Sequence, residues 1–204
     1  MVALSRTLHV IIAWTLLAAV AWTAPGEAAS GARSTTAGAD RLAELQANLE
    51  SPNRETFVSA IRELERLGDS AIPVLIPALR SPSYQTRMSA ALALGRRGPA
   101  AAPAVTALTA VLDDENSKVR LNALFALKEI GPAAQSSVPQ VLDTLKDADA
   151  WIRANAAEAL GSFGKASARA VEALEKVARE DKEEDVRTKA KAALNKIRQA
   201  QEQP

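Results

Sequence analysis

The chain has 204 residues with 25 basic and 24 acidic side chains, so its formal net charge is +1. It contains no cysteine and one histidine, His9, which excludes disulfides and leaves residues beyond the N-terminal region without the commonest sulfur and nitrogen metal ligands. The balanced charge argues against binding to nucleic acid, which a basic stripe would support.

The N-terminal residues have the pattern of a secretory signal peptide. Arg6 precedes the apolar run LHVIIAWTLLAAVAWTA, and the small residues Gly26 and Ala28 occupy the −3 and −1 positions of a cleavage site. The run is shorter than the roughly 20 residues that span a bilayer comfortably. We therefore predict that residues 1–28 are a cleaved signal peptide and that the protein is periplasmic or secreted. The alternative is an uncleaved membrane anchor, which would be the chain's only association with a membrane.

Residues 29–39, ASGARSTTAGA, are small and polar and show no hydrophobic periodicity. This composition predicts a flexible linker. The remaining residues, 40–204, are predicted to form a single domain.

An internal repeat of 33 or 34 residues organises that domain. Its first half reads TRMSAALALG, VRLNALFALK, IRANAAEALG and VRTKAKAALN in four successive copies, each with an arginine in second place. A glycine and a second apolar run follow each of the first three copies, and Gly68 marks an earlier copy. Arrays of repeats of this length are stacks of helix pairs that usually present a binding surface.

Within a repeat the apolar residues recur at steps of three and four, which predicts amphipathic helices. The glycine after the first stripe ends a helix, because glycine adopts the left-handed conformation without a Cβ clash. No window shows the alternation of a β-strand. The predicted units are residues 40–50 (a degenerate opening helix), 53–80, 83–113, 116–146 and 149–180, followed by a capping helix at 183–200.

The pattern D-x5-R, then A-x3-L-G-x2-G and a proline-bearing apolar helix, resembles the HEAT repeat. The alanine-rich form VRxxAAxALGxxG is similar to the subgroup named after phycobilisome lyases, and the resemblance covers roughly residues 40–200. It implies an all-α, armadillo-like fold: a right-handed α-solenoid of stacked antiparallel helix pairs with about ten helices. It implies no particular partner, because the family serves many.

The resemblance also gives the repeated arginines a structural role. Aspartates lie six residues before three of them, the separation at which HEAT repeats form a ladder of ion pairs between units. The predicted ladder residues are Asp114, Arg120, Asp147, Arg153, Asp181 and Arg187. Arg87 has Ser81 at the aspartate position and Phe57 replaces the arginine in the earlier copy, so we expect the ladder to weaken toward the N-terminus. The alternative, that these arginines bind an anionic ligand, is disfavoured by the carboxylates at a fixed offset.

A partner-binding surface is expected on the second helices, which line the concave face in HEAT arrays. Alignment of the units gives three rows of residues outside the core stripe: Pro73, Thr106, Pro139 and Glu172; Ile76, Thr109, Leu142 and Glu175; Arg80, Asp113, Lys146 and Arg179. Ile76 and Leu142, with Thr109 between them, are the candidate floor of a shallow apolar groove. Alternatively, both side chains extend the core.

Tyr84 and Trp151 form a second candidate contact site. They occupy adjoining columns of the alignment near the start of a first helix. Exposed aromatic side chains are favoured at interfaces. An equally good interpretation is that they staple the turn between units, and a buried Trp151 would end the contact hypothesis.

The sequence therefore predicts a non-catalytic, exported scaffold that binds a protein or peptide and needs no cofactor or metal. The HEAT-like iron hydroxylases use His-Glu pairs, which are absent here, and a similarity to HEAT-like DNA glycosylases is a remote alternative. Two other hypotheses remain: an accessory or ligand-modifying protein similar to the phycobilisome lyases, and a purely structural subunit of a complex.

Overall fold

Ten α-helices and connecting 3-10 segments make up the part of the chain that the computed structural model describes. That part is the backbone of residues 28–203 and the side chains of residues 38–203. Contacts set Ala39–Pro204 apart as the second of two units of the chain. The predicted signal peptide lies outside the described residues except for Ala28.

Helices of two kinds alternate along the second unit. The first helices of the repeats are α2 (Arg54–Arg66), α4 (Tyr84–Gly95), α6 (Ser117–Ile130), α8 (Ala150–Ser162) and α10 (Glu184–Glu202). The second helices are α3 (Ile72–Ala78), α5 (Val105–Ala110), α7 (Val138–Thr144) and α9 (Val171–Glu180). Helix α1 (Ala28–Asn48) precedes them, and its buried Leu45 joins the same core. No strand occurs within residues 28–203, and the predicted α-solenoid is confirmed.

The predicted linker at 29–39 is not supported, because α1 already begins at Ala28. Residues 29–39 lack apolar periodicity, but a helix does not require it. Serine, threonine and glycine there have low helix propensity, so the helix continues into this segment by propagation from residues 40–48, helped by four alanines.

Each pair of helices is joined at a glycine with positive φ. Gly68, Gly98, Gly131 and Gly164 have φ values of 62°, 55°, 71° and 60°. Four repeats thus place a glycine with positive φ directly after the first helix, where the sequence predicts that the helix ends. Each glycine begins a 3-10 segment that leads into the second helix: Gly68–Ala71, Gly98–Ala104, Gly131–Ser137 and Gly164–Ala170.

Small residues allow the first helices to pack very closely. Helix α4 packs against α6, α6 against α8, and α8 against α10. The repeated alanines at the centre, Ala90, Ala123, Ala156 and Ala190, are each at most 1% exposed, and the large leucines beside them complete one continuous core. At Gly161 the approach to a neighbouring backbone is closest, since a Cβ there would lie 2.9 Å from the Cα of Ala193. Glycine at this position therefore sets the distance between α8 and α10.

We predict that Gly161→Ala destabilises the array by about 1–3 kcal/mol, because the neighbouring atom is backbone and cannot move aside. Urea unfolding followed by circular dichroism measures the change. Gly38→Ala is the matched control, since a Cβ at Gly38 meets nothing within 4 Å and alanine favours the helix. Equal stability of Gly161→Ala and the parent chain would contradict the close approach.

Candidate partner-binding surfaces

The ladder arginines bind aspartates of the following unit. Arg87 donates to Asp114 through Nε at 2.6 Å and Nη2 at 2.9 Å. Arg120 contacts Asp147 in the same way at 2.9 and 3.2 Å. Arg153 contacts Asp181 at 2.7 and 2.9 Å. Each pair is a bidentate charge-assisted contact across a unit boundary, and the three pairs form a ladder of internal ion pairs.

The third nitrogen of each guanidinium holds its own unit's turn. Nη1 of Arg120 donates to the backbone oxygens of Asp114 at 2.8 Å and Glu115 at 3.3 Å. Arg87, Arg153 and Arg187 make the equivalent two bonds. The six-residue offset of the sequence thus reflects a contact with the aspartate's carbonyl, whereas the carboxylate partner comes from the next repeat.

Two of the aspartates have lowered pKa values. The Arg153 guanidinium holds the pKa of Asp181 below its usual range, against the effect of burial. Burial raises the pKa of Asp114, but the bonds from Arg87 and from the Asn116 N–H outweigh it and lower the pKa. The same contacts raise the pKa of Arg87 and Arg153. These ion pairs therefore stabilise the fold in their charged form.

The ladder is intact at Arg87 and weakens toward the N-terminus only beyond that position. Arg87 pairs with Asp114 regardless of Ser81, because its carboxylate lies downstream. One ion pair of the ladder is missing, because Phe57 replaces the arginine and Ser81 replaces the aspartate that would bind it. Ser81 instead donates to Glu50 at 2.8 Å. In α10, Arg187 donates to the carbonyls of Asp181 and Lys182.

The three rows on the second helices differ in exposure as their spacing predicts. The first row (Pro73, Thr106, Pro139 and Glu172) and the third row (Arg80, Asp113, Lys146 and Arg179) are exposed. The middle row is half-buried, and its Ile76 and Leu142 pack against the core. Both interpretations of Ile76 and Leu142 thus hold in part: the side chains extend the core and also form the floor between two exposed rows. We call these three rows the second-helix face.

Tyr84 and Trp151 lie at the starts of α4 and α8 and are 38% and 70% exposed. The turn between units is instead held by N-cap side chains: Ser83 accepts from the Thr86 N–H and Asp149 accepts from the Trp151 N–H at 2.8 Å. The Trp151 ring is therefore available for contact, and turn formation does not require it to be buried.

Two features escaped the sequence analysis. Glu158 on α8 binds Lys189 of α10 at 2.5 Å and Lys128 of α6 at 3.2 Å, which links three first helices. In addition, Leu92, Leu121 and Phe125 are half-buried on the outer side of α4 and α6. The sequence could have revealed these positions, because they lie outside the core stripe of the first helices. The three rows lie outside the core stripe of the second helices in the same way.

Surface depressions occur near the N-terminal end of the array. One of about 350 Å³ lies between α1 and α2 and is lined largely by polar side chains, including the ion pair of Arg41 with Glu63. Another of about 520 Å³ lies along α2 beside Arg54, Val58 and Arg62. Neither includes a residue of the second-helix face. Among the described residues, no group of three or more acidic or histidine side chains could hold a metal ion.

The family model of HEAT repeats matches residues 42–111 and 105–195. No curated protein matches the chain. Among solved structures, an engineered protein is 24% identical, with 84% of this chain and 85% of that chain covered and a TM-score of 0.61. The complex of CpcE and CpcF of phycocyanin lyase from Nostoc sp. PCC7120 is 21% identical over 76% of this chain and 98% of that chain, also with a TM-score of 0.61. At these identities the likeness shows the fold alone.

We predict that Asp114→Asn lowers the free energy of unfolding by about 2–4 kcal/mol, because it leaves the nearly buried Arg87 guanidinium with only the exposed Glu115 carboxylate, 3.7 Å away. Asp113→Asn is the matched control next to it, exposed and expected to change stability by less than about 0.5 kcal/mol. Denaturant unfolding at pH 7 measures both.

The same pair of variants tests the sign of the pH dependence. Since the folded pKa of Asp114 is lowered, its contribution is complete above its unfolded pKa of roughly 4 and is lost as the pH falls through the folded value. The difference in stability between parent and Asp114→Asn should therefore shrink on acidification below about pH 4. A difference that stays constant down to pH 2 would mean that the carboxylate does not act through its charge.

Proposed function

Because the chain belongs to the HEAT-repeat family, we propose that it is a non-catalytic, exported scaffold that binds a protein or peptide through its second-helix face. One observation carries the proposal. The half-buried row of Ile76, Thr109 and Leu142 runs across three consecutive second helices between two exposed rows. An extended partner laid across the repeats would meet a floor of apolar and hydroxyl groups with polar edges.

The charge distribution along this face favours one orientation of the partner along the array. The first two rows end in Glu172 and Glu175 on α9, whereas α3 and α5 carry proline, isoleucine and threonine at these positions. Glu175 is bound by Arg198 of α10 at 2.9 Å, which leaves Glu172 as the more available carboxylate. A partner with an apolar segment followed by a basic residue would complement this order.

The hydrogen bonds of three ladder arginines favour a scaffold role over the binding of an anionic ligand. Arg87, Arg120 and Arg153 each use both edges of the guanidinium on carbonyls and an aspartate, so their capacity for hydrogen bonds is met inside the fold. The ladder aspartates are likewise bound by guanidinium groups, so these carboxylates are poorly placed to act as general acids or bases.

Export rests on the N-terminal sequence. No helix of the described residues is long and apolar enough to cross a membrane. The basic start, apolar centre and small-residue exit of residues 1–28 have the order of a signal peptide.

We expect Leu142→Glu to weaken capture of protein partners from extracts of the exported fraction by about tenfold or more, because it places a charge on the groove floor. Gln140→Glu, on the same helix but exposed and outside the three rows, is the matched control for the added charge. Circular dichroism establishes that both variants remain folded. Capture of the same partners by Leu142→Glu as by the parent chain would refute binding through this face.

N-terminal sequencing of the exported protein tests the predicted processing. The expected first residue is Ala29, because cleavage should follow Ala28. Recovery of Met1 in a membrane fraction would instead establish the uncleaved anchor.

A further inference from the structure

The ladder arginine of α10, Arg187, has one edge that no described residue occupies. The side chain is half-buried, and its Nη1 donates to two carbonyls of the preceding turn at 2.7 and 3.1 Å. In Arg87, Arg120 and Arg153 the same two bonds are present, and Nε and Nη2 together bind the carboxylate of an aspartate in the next unit. Within residues 38–203, Nε and Nη2 of Arg187 make no hydrogen bond or ion pair.

The carbonyl bonds hold the Arg187 guanidinium ready for a ligand. They match the bonds of Arg120 to its own turn, at 2.8 and 3.3 Å, so the plane of the group is already fixed by the fold. A ligand therefore does not have to bear the full cost of ordering a long side chain. Two parallel N–H donors in this fixed arrangement suit one carboxylate, which they can bind in bidentate fashion.

The three occupied positions of the ladder show which kind of carboxylate fits this edge. In each, one oxygen of the aspartate accepts both from Nη2 of the arginine and from the backbone N–H two residues further on, where a helix begins. These N–H bonds join Asn116 to Asp114 at 2.9 Å, Asp149 to Asp147 at 2.8 Å and Glu183 to Asp181 at 3.0 Å. The fitting ligand is thus an aspartate in a turn that opens a helix.

The surface of α10 beside Arg187 is polar and carries a second positive charge. Four residues after the ladder arginine, the preceding first helices have the buried residues Ala91, Leu124 and Ala157, whereas α10 has the exposed Lys191. A further unit packed on α10 as α10 packs on α8 would bury this ammonium group, which is costly. The site therefore suits a short acidic segment better than another whole repeat.

The described part of the chain does not supply this ligand. Glu184 lies on α10 one turn before Lys191 and is exposed, but no bond joins it to Arg187 within residues 38–203. A second copy is also a poor source, because the aspartate position of its first two units is occupied by Ser51 and Ser81. Its ladder aspartates are already bound to arginines. The ligand should therefore come from a different protein.

We propose that Nε and Nη2 of Arg187 bind the carboxylate of an aspartate in a partner protein, presented by an acidic turn that opens a helix. Lys191 adds to the positive potential that attracts such a turn. The site includes no residue of the second-helix face, so this proposal stands independently of the scaffold function. One exposed ion pair contributes little by itself, and we expect an isolated turn to bind with a Kd of about 1 mM.

NMR of the arginine Nε–H groups tests this contact in the full chain, kept in a mild detergent that solvates the apolar N-terminal residues. The probe is a peptide with the sequence of residues 111–122, acetylated and amidated at its ends, which carries Asp114 and its turn. The Nε–H resonance of Arg187, assigned by its loss in Arg187→Lys, should shift as the peptide is added. The resonances of the three paired ladder arginines should not move, because their edges are occupied.

A peptide with asparagine in place of Asp114 is the matched control, because it keeps the shape of the turn and should bind at least about tenfold more weakly. In the protein, Lys191→Gln should raise the Kd about twofold to threefold. Arg54→Gln removes an exposed charge from α2, more than a Debye length of about 10 Å away, and should leave the Kd unchanged.

Circular dichroism checks that the variants remain folded. No shift of the Arg187 resonance up to about 5 mM peptide, or an equal shift with the asparagine peptide, overturns the proposal. An equal shift with sodium acetate at the same concentration would mean that any carboxylate binds, and would overturn the specific role of the turn.

Discussion

A single guanidinium group determines how one repeat meets the next. In Arg87, Arg120 and Arg153, one nitrogen fixes the two carbonyls of the turn that begins the arginine's own unit, while the other edge holds an aspartate from the turn that begins the next. That aspartate also accepts the N–H two residues further on. The orientation of successive turns, and hence of the helices that follow them, depends on this shared contact.

Close packing of the first helices follows from the same register. Gly161 can approach the Ala193 backbone and Gly95 can lie beneath Phe125 only because the ladder aligns the helices residue for residue. Polar contacts at the turns and apolar contacts along the helices therefore specify one arrangement, which is the condition for a well-defined fold.

The paired arginines and aspartates of the ladder bind each other. Function must therefore come from surfaces that lie outside these ion pairs. The second helices expose two rows around a half-buried floor. A partner can bind there without disturbing the contacts that hold the units together.

The sequence by itself determined the all-α repeat, the helix ends at the four glycines and the involvement of Asp114, Asp147 and Asp181 with the arginines. These features are local or recur at a fixed period, so one chain read along its length reveals them. Only the tertiary structure decided which aspartate each arginine binds, because a partner 27 or 28 residues away is chosen by stacking and not by the six-residue spacing. The exposure of Trp151 and the half-burial of Ile76 and Leu142 were likewise decided there, since solvent access depends on what the neighbouring units cover.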